Sequence, residues 1–129
     1  MIINHPDVVA KVREQVLRYE KALISNDIKE LDELFWDSPY TVRLGGKENL
    51  FGYSQIQAFR QGRASRGLDR TIEQISIVAF GSEMACAHVI FSRRGEPLGR
   101  QTQTWVKLEG VWRVVSAHVS AMMSDCSTA

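Results

Sequence analysis

The side chains able to do chemistry in this sequence stand singly rather than in motifs. It has no GxSxG elbow, no HExxH, no phosphate-cradling glycine loop and no paired-cysteine box. Tyr19 can donate a hydrogen bond or a proton to a developing oxyanion. To act as a base near neutral pH it needs a neighbouring cation to lower a pKa that is normally about 10. Arg43 can hold a carboxylate or phosphate with its planar fork. His118 titrates near neutrality and could move a proton or activate water. Each residue also has a plainer reading. Tyr19 fits a core aromatic with its hydroxyl on the backbone, Arg43 a solvated strand residue, and His118 or His88 a hydrogen-bonded strand histidine. Arg60, Arg63, Arg66 and Arg70 form a basic run that reads first as a solvated face, with Arg60 kept as a candidate substrate contact. Trp105 is a second candidate contact, because its strand is polar for a core.

The elements that must position these residues follow from periodicity. Val8, Val12, Val16, Tyr19 and Leu23 recur at spacings of three and four, which predicts an amphipathic helix from Asp7 to Ile24 with Asn4 or His5 as cap. Asp27 and Glu30 open a second helix through Phe35. Tyr40 to Leu44 alternates as a short strand, Tyr40, Val42 and Leu44 on one face and Thr41 and Arg43 on the other. Gly45, Gly46 and Gly52 predict a loop, and Ser54 is the expected cap of a third helix over Gln55–Ala64. Period 2 then takes over in four strands, Thr71–Phe80, Met84–Arg93, Arg100–Leu108 and Val111–Ser120, with links short enough for antiparallel meanders. The expectation is an α+β domain over residues 1–123, three helices on one face of a curved antiparallel sheet, followed by a frayed tail at 124–129. In the last strand, simple alternation puts His118 on the face of Ser116 and Ser120, with Trp112 and Val114 further back.

Composition narrows the function classes. A chain of 129 residues with 44% hydrophobic and 24% charged residues is an ordinary globular domain that needs neither metal nor disulfide to fold. Sixteen Lys+Arg against fifteen Asp+Glu give a net charge of +1, which argues against a nucleic-acid or membrane partner. Eleven of the sixteen bases are arginine, a first hint of a small acidic ligand. Cys86 reads as a small buried hydrophobe, Cys126 falls in the polar tail, and no spacing suggests a metal site or cofactor. The start of the chain lacks a signal-peptide pattern, so cytoplasm is the expected compartment. One sheet face is left uncovered and carries Trp, Val, Thr and Gln, so a homodimer through that face is expected.

The element order, with Gly52–Arg60 (GYSQIQAFR) opening the third helix, resembles the cone-shaped, cystatin-like superfamily of nuclear transport factor two, ketosteroid isomerase and the SnoaL-like cyclases. Thr41–Gly52 (TVRLGGKENLFG), Gly99–Thr104 (GRQTQT) and Trp112–Ser120 (WRVVSAHVS) are similar to the AtzH-like family, which includes accessory proteins of oxalurate catabolism. The resemblance implies amidase-like chemistry without a cofactor on a small carboxylated urea or oxalurate-like amide, or an accessory role beside a partner amidase. It further implies that a tyrosine on the first helix and an arginine on the first strand are catalytic; Tyr19 and Arg43 match those positions. A ketosteroid isomerase site fits less well, because no inward-facing position assigned above supplies its aspartate base.

Overall fold

The computed structural model describes residues 1–65 and 67–123; Arg66, Cys126 and the predicted tail at 124–129 lie outside the described residues. Helix α1 (Pro6–Ile24) starts where proline costs nothing, and His5 Nδ1 accepts the Asp7 N–H at 3.2 Å. Its stripe of Val12, Val16, Tyr19 and Leu23 is buried, as the period requires. Helix α2 (Ile28–Leu34) is capped by Asp27, which accepts the Glu30 N–H at 3.2 Å. Between the helices and the long strands lie β1 (Val42–Leu44) and β2 (Asn49–Phe51), a small antiparallel hairpin where the sequence predicts only a strand and a loop. The three residues of β2 stand between glycines that read as a loop.

Helix α3 (Tyr53–Gly62) begins two residues before the predicted start, and Ser54 does not cap it. Gly52 is the cap residue. Its φ of 97° suits glycine, and a Cβ there would sit 3.5 Å from the Pro39 carbonyl oxygen.

The long strands β3 (Thr71–Phe80), β4 (Met84–Ser92), β5 (Gly99–Leu108) and β6 (Val111–Ala121) fall where the period-2 pattern puts them. The six strands form one open, curved sheet in the order β2-β1-β6-β5-β4-β3. The expected purely antiparallel sheet is corrected at one edge: β1 pairs with β6 in parallel, Arg43 beside Ala117. Short links force antiparallel neighbours, but β1 and β6 are joined through α3 and four strands, so no link constrains their sense. The three helices cover one face, which makes the fold α+β. Ala79, Ala85, Ala87 and Ala117 on that face are fully or almost fully buried, and their small side chains let α1 lie close to the sheet.

A bulge controls which side chains of β6 point inward. In β6, Thr104 pairs with Ser116 but Trp105 pairs with Val114, so Val115 is an extra residue. Trp112 and Val114 face the helices before it; Ala117 and Val119 do so after it. Ser116, His118 and Ser120 are thereby turned to the outer face, a correction to simple alternation. The expected make-up of the outer face is corrected too. Gln101, Gln103, Trp105 and Trp112 are buried under the helices, and the outer face carries Thr102, Thr104, Val106, His88 and His118. Gly99 opposes Phe91 across the β4–β5 pair, and a Cβ at Gly99 would stand 2.1 Å from that ring. Glycine is thus what lets Phe91 lie flat over the strand.

Candidate functional site

Tyr19 stands on the buried stripe of α1, 2% exposed, its ring tilted against Phe35 at 6.1 Å. Its oxygen accepts a hydrogen bond from Gln101 Nε2 at 3.2 Å. The other end of that amide is fixed, because Gln101 Oε1 accepts from Arg70 Nη2 at 2.7 Å. Arg70 is in turn held by Glu20, with Nε to Oε2 at 3.0 Å and a second contact from Nη2 to Oε1. The chain Glu20–Arg70–Gln101–Tyr19 therefore has one polarity. Arg70 can only donate, so Gln101 must present its amide N–H to the phenol oxygen. Among the described residues no group accepts the Tyr19 proton.

Arg43 is 7% exposed because the pleat of β1 turns it inward while Val42 and Leu44 face out. Of the two readings open to Arg43 in the sequence, the interior one holds. Its Nη1 donates to Glu48 Oε1 at 2.7 Å, and its guanidinium lies 5.2 Å from the centre of the Phe59 ring. Arg60, 2% exposed, follows Ile56 by four residues on the inner face of α3. It donates to Asp32 Oδ1 at 3.0 Å and stacks over Phe35 at 4.2 Å. Among the described residues the basic run is therefore not a solvated face: Arg60 and Arg70 are buried and Arg63 is half-buried. The i, i+4 spacing from Ile56 is the signal that reveals Arg60. Glu20, 3% exposed beside Tyr19, is the signal for Arg70, since a carboxylate on a buried helix face needs a cation.

Burial pushes the Tyr19 phenol up, but Arg43, Arg60 and Arg70, aided by the Gln101 hydrogen bond, outweigh it and leave its pKa below the ordinary value. Burial lowers Arg60 and Arg63 from the usual guanidinium range, opposed in both by the phenol, yet arginine stays charged. Several buried polar atoms here have no partner: Arg60 Nη2, Arg63 Nε and Nη2, and Gln103 Nε2. All are donors. Buried donors without acceptors are costly, and an oxygen acceptor carrying negative charge is the group that would satisfy them.

The remaining sequence candidates are not brought to this site in the same way. His118 is exposed on the outer face, turned away from Tyr19 by the β6 bulge. Trp105 is fully buried on the inner face, but its indole N–H is spent on Gln103 Oε1 at 2.9 Å. It can line the interior but offers no donor. Among the described residues no group of three or more His, Cys, Asp or Glu could hold a metal, and no helix is long and apolar enough to cross a membrane.

Comparison with known proteins agrees with this architecture. A protein of unknown function from the DUF3225 family of Pectobacterium atrosepticum is 50% identical, with a TM-score of 0.91 over 94% of this chain and 95% of that one. A cystatin-like fold protein from Burkholderia xenovorans is 38% identical, with a TM-score of 0.90 over 95% and 97% of the two chains. An NTF2-like protein of unknown function from Pseudomonas putida shares the fold at 20% identity, with a TM-score of 0.76 over 92% and 89%. No curated protein matches the chain. The AtzH-like family model matches residues 1–125, nearly the whole chain, and the protein belongs to the AtzH-like family.

Proposed function

We propose that this protein is a small cytoplasmic C–N hydrolase, amidase-like, acting on a carboxylated urea or oxalurate-like intermediate of nitrogen catabolism (purine/ureide or triazine). The observation that carries this reading is the Tyr19 proton, which has no acceptor among the described residues and lies amid buried arginine and amide donors. Arginine draws in the substrate carboxylate, an interaction worth about 1.5–3 kcal/mol in a partly dry site. Arg43 and Arg60, each braced by a carboxylate, keep the field around the phenol positive. Tyr19 then donates to the amide carbonyl as water adds to its carbon; the C–N bond breaks and the nitrogen leaves with a proton from that water.

A second reading has its own observation. The site's carboxylates Glu20, Asp32 and Glu48 are each tied to an arginine, and His118 lies on the far side of the sheet. That arrangement suits a binding or accessory protein that serves a partner amidase, holding the anion without turning it over. Ammonia release decides between the two. Purified protein incubated with oxalurate or a dicarboxylated urea should release ammonia by itself; release only when the partner amidase is added assigns the accessory role.

The assembly proposed for either reading is a homodimer through the outer sheet face. Val42, Leu44, Val78, Cys86, Ile90 and Val106 stand there half-exposed between polar neighbours. Light scattering at micromolar concentration should give twice the 14.6 kDa chain mass. A monomer mass sinks the proposal.

A further inference from the structure

Arg63 stands apart from Arg43, Arg60 and Arg70, while half-buried Arg93 shares with it a buried Nε that has no partner. Arg43, Arg60 and Arg70 each hold a carboxylate, Glu48, Asp32 and Glu20 respectively. Arg63 follows the last residue of α3, and its side chain makes no hydrogen bond or ion pair among the described residues. Its Nε and Nη2 are nevertheless both buried and both without a partner. These two atoms share one edge of the guanidinium, the edge that accepts a planar carboxylate side-on through two parallel N–H···O bonds. The guanidinium lies 5.7 Å from the centre of the Phe59 ring, the ring against which Arg43 packs at 5.2 Å. Arg43, by contrast, already spends Nη1 on Glu48.

We propose that the empty Nε/Nη2 edge of Arg63 is the bidentate anchor for a planar oxyanion, a carboxylate or carbamate, which it holds beside Tyr19. Arg43 then supplies charge and shape while Arg63 makes the paired bonds. The inference rests on the reading of the interior as an anion site, and it names the residue that selects the anion. A substitution at Arg63 removes no hydrogen bond holding the fold, since only its backbone N–H is engaged, on the Arg60 carbonyl.

Calorimetric titration with oxamate, a planar carboxylate that carries an amide, tests it in the full chain. Arg63→Lys keeps the charge but cannot form the two-bond edge, so its affinity for oxamate should fall at least tenfold with an unchanged melting temperature. Arg93→Lys, which alters a half-buried arginine next to Phe91, should bind within twofold of the parent. Equal binding by Arg63→Lys and the parent would place the anchor elsewhere and leave the anion-site reading standing. Equal losses in the two lysine variants would show a diffuse field instead of an anchor, which also ends the proposal. Failure of the parent protein to bind oxamate would remove both this proposal and the reading beneath it.

Discussion

Tyr19→Phe is expected to lower turnover by about a hundredfold, the usual loss when one oxyanion donor is removed. The ring contact with Phe35 survives the change, and no group among the described residues accepts the missing proton. The structural cost is confined to Gln101 Nε2, which loses its acceptor in a buried site, about 1 kcal/mol. For a domain of this size that is a fall in Tm of about 4 °C. The pH behaviour follows from the sign of the shift. Tyr19 is held below its ordinary value, so the donor form is lost as pH rises through that lowered pKa, before an unperturbed phenol would ionise. Turnover through an O–H donor should decline on that alkaline limb. Between the lowered pKa and about 10 the unfolded chain binds more protons than the folded one, so ionisation of Tyr19 adds stability as pH rises there. The phenylalanine variant should lack both features. Unchanged turnover with a large drop in Tm would make Tyr19 a core residue and nothing more.

The second large effect lies in the support behind that tyrosine. Glu20→Ala leaves Arg70 charged, almost wholly buried and without its carboxylate, a loss of about 3–5 kcal/mol. That is a sizeable share of the 5–15 kcal/mol that holds a typical domain together. Replacing both partners with apolar residues, Glu20→Leu with Arg70→Met, should recover most of this stability, because no buried charge remains. Activity should not return with it. Without Arg70 nothing dictates which end of the Gln101 amide meets the phenol, and a turned amide would take the Tyr19 proton for itself. Urea unfolding and turnover measured on the parent and on both variants separate the two effects. A loss below about 1 kcal/mol for Glu20→Ala would show that the pair is solvated.

The sequence alone determined most of the frame and half of the site. Period 3.6 placed Tyr19 on the covered face of α1, and period 2 placed Arg43 opposite Val42 and Leu44, because both periods are properties of the local backbone. Tertiary structure decided the rest. The single extra residue at Val115 reverses the parity of β6 and sends His118 outward, and no local pattern marks such an insertion. The sense of the β1–β6 pair and the existence of β2 depend on partners far away in the chain. Burial of Arg60, Arg63 and Arg70 was hidden because a run of charges looks solvated until its counter-charges are located. Glu20 reaches Arg70 across fifty residues, and Asp32 reaches Arg60 across twenty-eight. A buried cation is tolerated only where folding delivers its anion, so charge pairing over that distance belongs to the three-dimensional structure and not to the order of residues.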